Sequence, residues 1–300
     1  MKVIDPLPIT EAVLTNINLP ETEYPAWSST ATYTKGARVI RGHKRWEAAA
    51  ESVQAGVDPL TEAGAQKWSD MGATNRWAMF DQAKGTLATR NGPITITLTP
   101  GARIDSVALL ELSAKQVTVA VSVGGTEIYR ETQVTAAGGR DIDNLYDYLF
   151  APIGTRTKLL FESLPSFSNA VVTVTIEGVS NTAPVKCGTF LIGQMFDIGT
   201  TLTDVDIGIA DFSKRSRSDF GVITVVPRNY SDNLTYQVMI QSSRTDAIKD
   251  KVASLRAIPT LWIGGPTLDT LLTYGFFSNF KVRLQRLTGV SRCDLNVESL

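Results

Sequence analysis

The stretch that decides the fold reads Pro25-Ala26-Trp27-Ser28, Thr32-Tyr33, Gly36-Ala37-Arg38-Val39, Trp46-Glu47-Ala48, Gly56-Val57-Asp58-Pro59 and Trp68. It lies within residues 24–81, which hold four of the five tryptophans of this 300-residue chain. The residues between these landmarks are rich in Gly, Ser, Thr and Asp, which are typical of turns. The pattern therefore predicts three short strands joined by turns.

The aromatic side chains of this stretch have two possible roles. A unit of roughly fifty residues has little apolar core, and each buried aromatic side chain removes about 150–250 Å² from water. Core positions are therefore the first interpretation. The other is that some of these rings face solvent and stack on sugars, much as aromatic platforms stack on bases.

The order of the landmarks resembles the small chitin-binding carbohydrate-binding modules of the family called five/twelve. Those modules share Ala-Trp, Ala-Tyr, Gly-x-x-Val, Gly-x-x-aromatic, Gly-aromatic-x-Pro and a final Trp. The resemblance covers about a sixth of the chain. It implies four carbohydrate-binding residues, namely Trp27, Tyr33, Trp46 and Trp68. Val57 stands where many members carry an aromatic residue, so we expect weak or absent chitin binding.

The first 25 residues contain Pro6, Pro8 and Pro20, and proline interrupts ladder pairing. This segment is predicted to be an extended arm. Its apolar residues Ile4, Leu7 and Ile9 need cover, either from the same domain or from a neighbouring subunit.

Composition excludes several classes of protein. The chain has 29 basic and 30 acidic residues, so no net field favours nucleic acid. Cys187 and Cys293 lie far apart, which predicts two buried free thiols and neither a zinc site nor a disulfide scaffold. The start of the sequence lacks an apolar signal core and no window is apolar enough to span a bilayer, so we expect folding in a cytoplasm and no membrane insertion.

The middle of the chain shows strand periodicity. Apolar residues alternate with Thr or Ser in 94–98, 117–123 and 172–176, with apolar runs at 107–112 and 159–161. Such alternation predicts half-buried antiparallel strands, and the Gly-rich turns between them favour a jelly-roll-like β-sandwich.

The last third combines strands with one helix. Residues 184–203 are predicted to be a crossover, followed by strands at 220–226, 234–240, 260–263, 274–284 and 293–297. Thr245 is predicted to be the N-cap of a helix that buries Ile248, Val252 and Leu255 and ends at Pro259. The chain is thus predicted to be mainly β. Its expected divisions are an arm (1–25), a carbohydrate-binding-like module (26–73), a β-sandwich (74–183) and an α+β domain (184–300).

A second resemblance extends over most of the chain. The runs that carry it are Thr74-Asn75-Arg76-Trp77-Ala78-Met79-Phe80-Asp81, Ser218-Asp219-Phe220-Gly221, Val226-Pro227-Arg228, Leu261-Trp262-Ile263-Gly264 and Tyr274-Gly275-Phe276. They are similar to proteins encoded in the tail-morphogenesis regions of tailed bacteriophages and prophages. This implies a structural part of a tail tip or baseplate, located in the virion and made in the host cytoplasm. The implied partners are other tail proteins, further copies of the chain in a ring or trimer, and a host surface glycan.

Histidine chemistry has little support, because His43 is the only histidine. It lies in the basic turn Arg41-Gly42-His43-Lys44-Arg45, where positive neighbours disfavour the imidazolium that a general base becomes. We expect an exposed residue at a hairpin tip, and no catalytic residue, cofactor or metal site. The basic residues Lys214, Arg215 and Arg217 are expected either to contact a neighbouring subunit or to lie in a solvated loop.

Three functions therefore remain. The leading hypothesis is a tail-tip or baseplate component whose carbohydrate-binding-like module contributes to attachment. The second is a free carbohydrate-binding adhesin. The third is an accessory glycan hydrolase that uses two carboxylates, with Asp141, Asp143, Asp147, Asp204, Asp206 and Asp211 as the candidates.

Overall fold

The structure, a computed structural model, describes residues 1–136, 155–217, 219–265, 269–285 and 289–300. It is mainly β with antiparallel sheets and one substantial helix near the C-terminus, which confirms the predicted fold class. The chain separates into two compact units. The first contains Met1–Pro6 and Gly193–Leu300, and the second contains Leu7–Ile192.

Strands are numbered along the chain. They are β1 (Lys2–Pro6), β2 (Leu14–Ile17), β3 (Tyr33–Thr34), β4 (Arg38–Arg41), β5 (Lys44–Ala48), β6 (Ser52–Val53), β7 (Trp68–Ala73), β8 (Ala88–Asn91), β9 (Ile94–Leu98), β10 (Ser106–Leu110), β11 (Gln116–Val123), β12 (Thr126–Val134), β13 (Leu159–Phe161), β14 (Ala170–Glu177), β15 (Pro184–Cys187), β16 (Thr189–Asp197), β17 (Thr200–Asp211), β18 (Lys214–Arg217), β19 (Ile223–Val226), β20 (Tyr230–Gln241), β21 (Thr260–Ile263), β22 (Leu272–Arg283) and β23 (Val290–Ser299). The described α-helices are α1 (Glu62–Ala65) and α2 (Thr245–Ser254), and 3-10 turns span Ala78–Phe80, Ser242–Arg244 and Asp269–Leu271.

The second unit contains the sandwich core. Five strands pair in the order β12-β11-β14-β9-β2, and their inward residues alternate with threonines. Ile96 and Val174 from this sheet share one buried cluster with Val107 and Leu109 of β10. The apolar periodicity of the sequence therefore identified the layer that forms this core.

The small module within the second unit has a core of its own. Strands β4, β5 and β7 form a three-stranded sheet and β3 pairs with β6, in agreement with the predicted three short strands. Val39 lies opposite Trp46, and Ala48 lies opposite Trp68. These four residues and Val53 form a separate buried cluster.

In the first unit the strands follow the order β16-β1-β21-β22-β23-β20-β17, with β16 contributing its residues from Gly193 onward. Helix α2 buries Ile248 and Val252 in a cluster that also contains Leu255, Tyr236 and Trp262. The predicted apolar stripe of this helix is confirmed.

The predicted N-cap role of Thr245 is wrong. The Thr245 hydroxyl donates a hydrogen bond to the Ser242 carbonyl at 2.9 Å, across the 3-10 turn that precedes the helix. The cap position is occupied by Arg244, whose side chain makes no capping hydrogen bond. A preceding turn of 3-10 helix thus takes the place of a side-chain cap.

Two segments differ from their predicted form. Residues 1–6 are strand β1, which pairs with both β16 and β21 and buries Val3 and Ile4, so they do not form a free arm. Residues 184–203 hold strands β15 and β16 and the start of β17, where a crossover was predicted. Thr189–Gly193 is buried at every position, and a strand covered on both faces shows no alternation.

Candidate functional site

The two tryptophans at the centre of the module are core residues. Trp46 donates its indole N–H to the Arg41 carbonyl at 3.0 Å, and Trp68 donates to the Val57 carbonyl at 3.1 Å. Both rings are buried and both polar atoms are used inside the module. Trp46 and Trp68 therefore have no ring face to offer a sugar, although the resemblance implied that role.

Trp27 and Tyr33 are half-buried and pack against the same cluster. The Tyr33 ring meets Trp68 edge to face with centroids 5.1 Å apart, and the Ser28 backbone N–H donates to the Tyr33 hydroxyl at 2.7 Å. These two are the predicted carbohydrate-binding residues that keep solvent-accessible surface.

The Arg41 guanidinium covers part of Trp27, with its central carbon 4.9 Å from the ring centroid. Asp58 holds it there through hydrogen bonds of 2.7 Å from Nη2 and 3.1 Å from Nε to Oδ2. The hydrogen bond from Arg41 lowers the pKa of Asp58 below its ordinary value. A charged pair thus occupies ring surface on which a sugar would stack.

The turn that carries Val57 completes this arrangement. Gly56 has a φ of +83°, and a Cβ on Gly64 would come within 2.0 Å of the Asp58 carbonyl oxygen. The Asp58 side chain also accepts a hydrogen bond from the Leu60 N–H at 3.0 Å. Val57 is only partly buried, so this turn presents no aromatic ring.

His43 is at the predicted hairpin tip, where Gly42 and His43 both have positive φ, +59° and +63°. It is not a free surface residue, which corrects the sequence-based expectation. Its Nε2 lies 2.9 Å from Glu11 Oε1 and its Nδ1 lies 3.2 Å from Glu21 Oε1. The ring also lies over Trp77, with centroids 4.4 Å apart.

These residues line a cavity of about 290 Å³ together with Arg76 and Leu14. Glu21 also accepts a hydrogen bond from the Thr74 hydroxyl at 2.9 Å. Since the two carboxylates approach opposite nitrogens of the imidazole, the arrangement ties three separate stretches of the second unit to one side chain. No group of three metal-ligating residues is assembled among the described residues.

Local sequence gave no signal for this cluster. Glu11 and Glu21 are 32 and 22 positions before His43, so the basic neighbours of the histidine dominated the prediction. The predicted buried thiols are confirmed, because Cys187 and Cys293 are both buried and free. Burial raises the pKa of each thiol to about 12, so neither is an activated nucleophile.

Within the described part of the first unit, exposed apolar side chains concentrate in residues 211–217 and 219–230, which we term the exposed hairpin. Strands β18 and β19 pair with each other, and every residue of both is exposed. Phe220, in the turn between them, is 95% exposed. The predicted interface residues Lys214, Arg215 and Arg217 all lie on β18.

The predicted interface residues of the arm are placed differently. Ile4 is fully buried within the first unit, and its carbonyl accepts a hydrogen bond from the Thr260 hydroxyl. Leu7 and Ile9 are partly buried against the core of the second unit. Cover for these residues comes from their own chain.

The carboxylate candidates for glycan hydrolysis fall into two groups. Asp141, Asp143 and Asp147 lie outside the described residues. Asp204, Asp206 and Asp211 lie on β17 and are exposed. Asp211 is engaged with its neighbours, since its carboxylate accepts hydrogen bonds from the Ser213 N–H at 2.9 Å and from Arg215 at 3.3 Å.

No protein-family model matches the chain, and no curated protein matches it. No helix among the described residues is both long and apolar enough to cross a membrane.

Proposed function

We propose that this protein is a structural component of a bacteriophage tail tip or baseplate, and that its carbohydrate-binding-like module contributes to attachment at the host surface. The resemblance of several sequence runs to tail-morphogenesis proteins motivates the context. The observation that carries the structural role is the exposed hairpin, described above, whose apolar side chains are left in water.

Surface of this kind favours a part of an assembly. Soluble monomers rarely expose contiguous apolar patches beyond roughly 300–600 Å². Phe212, Phe220 and Tyr230 are each at least half exposed, which for aromatic side chains amounts to roughly 400 Å² in total. The neighbouring valines and isoleucines add to this, so a free adhesin is the weaker alternative.

Fewer residues of the module have exposed ring surface for sugar binding than the resemblance implied. Trp27 and Tyr33 are the aromatic residues through which it would hold a sugar, and Arg41 competes for the Trp27 ring. A single stacked ring contributes about 1–3 kcal/mol by analogy with bases, which corresponds to millimolar affinity or weaker. Attachment through this module would therefore need many copies held together, as in a particle.

The test is a particle whose gene for this protein is deleted. We expect purified particles to lose a tail-tip or baseplate feature in negative-stain images, and mass spectrometry of wild-type particles to detect the protein. Intact tails from the deletion, together with absence of the protein from wild-type particles, would contradict the proposal. Titration of the wild-type protein and its Trp27→Ala variant with chitin oligomers tests the attachment role, since sub-micromolar binding that survives the substitution would exclude this ring.

A further inference from the structure

The exposed hairpin has one face that combines cations with apolar side chains. In its register Arg215 lies opposite Val225, and Arg217 lies opposite Ile223. Cross-strand partners point to the same side of a sheet, and so do residues two apart on a strand. These four side chains therefore share a face, and all four are exposed.

The adjoining end of the main sheet has a similar face with a carboxylate in place of the cations. Ile207 on β17 lies opposite Leu234 on β20, and Ile209 lies opposite Asp232. Both isoleucines and Asp232 therefore point to the side of the sheet on which Leu234 is buried. Ile207 is 53% exposed and Ile209 is 69% exposed, whereas Leu234 is only 1% exposed. The core of the first unit thus ends before it covers the two isoleucines.

These two faces lie on the same side of one two-stranded ribbon. Between its parts the strands stay hydrogen-bonded, since the Phe212 N–H donates to the Asn229 carbonyl at 3.3 Å. Asp211 is two residues after Ile209 and shares its side, and the Asp211 carboxylate accepts a hydrogen bond from Arg215 at 3.3 Å. That contact places the hairpin face on the side of Ile209. We term this combined surface the ribbon face, which consists of Ile207, Ile209, Asp211, Arg215, Arg217, Ile223, Val225 and Asp232.

The charges of the ribbon face are divided between its two halves. The hairpin half carries Arg215 and Arg217, and the half formed by β17 and β20 carries Asp211 and Asp232. Arg215 has Asp211 as a partner in its own chain, but neither Arg217 nor Asp232 makes an ion pair among the described residues. Each half also has two exposed aliphatic side chains. A surface with complementary halves fits a second copy of itself, because a two-fold axis places each half on the opposite half of the partner.

We propose that two copies of this chain pair through the ribbon face about a two-fold axis. The hairpin half of each copy packs face to face on the β17–β20 half of the other, so Ile223 and Val225 cover the isoleucines that the core leaves exposed. Arg217 of one copy then lies beside Asp232 of the second copy, and each contact occurs twice. This inference rests on the proposed function and names the partner of the exposed hairpin in the assembly.

The mixture of charges favours a second copy over a lipid surface. Asp211 and Asp232 lie among the aliphatic side chains of the ribbon face, and burial of a carboxylate without a cation is costly. A second copy supplies the cation, whereas acyl chains do not. The face has fewer residues than the roughly 20–30 per side of a standard interface. We therefore expect micromolar affinity in solution, strengthened where many copies are held in one particle.

The first test measures the mass of the full-length protein by size-exclusion chromatography with light scattering at micromolar to submillimolar concentrations. We expect a concentration-dependent dimer that Val225→Ser weakens by roughly tenfold, because the apolar contact is lost twice per pair. Val226→Ser is the matched control. The two valines are neighbours on β19, are 53% and 49% exposed, and point to opposite faces, so Val226→Ser should dimerise as the wild type does. A monomeric wild type, or equal effects of the two substitutions, would overturn the inference.

The second test reverses the charges that are proposed to meet. We expect R217E and D232R each to weaken the dimer by roughly tenfold or more, since like charges then face each other twice. The double variant R217E/D232R places opposite charges together again, and so does an equal mixture of the two single variants. Both should dimerise. Failure of the double variant to dimerise, with every variant folded by circular dichroism, would overturn the pairing.

The outcomes of these tests separate from those of the proposed function. A protein that is present in particles but monomeric in solution overturns the two-fold pairing alone. Conversely, a dimer that is absent from particles overturns the tail role alone. Sedimentation of a monomeric wild-type protein with phosphatidylserine vesicles, lost on Phe220→Ser, would assign the hairpin to a lipid surface and overturn its pairing with a second copy.

Discussion

Two hairpins of this chain, β4–β5 in the module and β18–β19 in the first unit, contain similar residues with opposite results. Cations have carboxylate partners in both, such as Arg38 with Glu47 at 2.8 Å in the module and Arg215 with Asp211 at 3.3 Å in the exposed hairpin. The exposed hairpin has the same mixture of Arg and Val, but Ile223 and Val225 face water. A two-stranded hairpin buries its apolar side chains only when other side chains pack on it. In the module, Trp46 and Trp68 provide that packing.

The largest expected effect comes from removing that layer. Trp68→Ala should lower the free energy of unfolding by about 3–5 kcal/mol, because a buried indole is lost and a cavity remains. Denaturation followed by tryptophan fluorescence measures this, since four of the five tryptophans lie in residues 24–81. The exposed Leu60→Ala provides the control, and a loss of similar size there would remove the contrast between covered and uncovered residues.

A smaller loss of stability is expected where Gly64 packs closely against the backbone of Asp58. In Gly64→Ala the added Cβ would meet the Asp58 carbonyl oxygen at 2.0 Å, so the turn must shift. We expect a loss of about 1–3 kcal/mol, as for other overpacked sites. Ala63→Ser on the same short helix should be nearly neutral because Ala63 is exposed, and equal melting of the two variants would show that this turn is loosely packed.

Acid should weaken the module through the pair of Arg41 and Asp58. The hydrogen bond from Arg41 lowers the pKa of Asp58 in the folded protein, so this pair stabilises the fold fully above the unfolded pKa of about 4. That contribution disappears as the pH falls through the lowered folded pKa. We expect thermal melts of Asp58→Asn to depend less steeply on pH than wild-type melts between about pH 5 and pH 2. Identical slopes would contradict the role of the pair.

The smallest expected effect is in the exposed hairpin itself. Phe220 is 95% exposed, so its ring buries almost no surface within its own chain. Phe220→Ser should therefore change the free energy of unfolding of the dissociated protein by no more than about 0.5 kcal/mol. Denaturation at protein concentrations low enough to dissociate any oligomer gives this value. A loss as large as that expected for Trp68→Ala would mean that the ring is buried within the monomer.

Local pattern predicted the parts of the fold that local chemistry determines. Ile94, Ile96 and Leu98 alternate with threonines, and the strand follows directly from that period. The spacing of Ile248, Val252 and Leu255 likewise predicted the buried face of α2. In contrast, Phe190-Leu191-Ile192 in β16 is buried on both faces and gives no period, so this strand was missed.

The candidate site depended on partners that are distant along the chain. Arg41 meets Asp58 across 17 residues, and that pair decides how much of Trp27 is open to a sugar. Likewise the partners of His43 come from a segment that was predicted to be an arm. Residue types alone indicated candidate aromatic residues, but how much of each ring is exposed is a property of tertiary packing.

The position of β1 also sets the order in which the chain can fold during synthesis. This strand lies between β16 and β21, so its hydrogen-bonding partners are made about 190 and 260 residues after it. In contrast, the whole of the second unit, residues 7–192, is synthesised before residues 193–300 of the first unit. We therefore expect the second unit to fold on the ribosome before β1, which contains Val3 and Ile4, has its partner strands. The first unit then folds last, through contacts between residues that are far apart in the sequence.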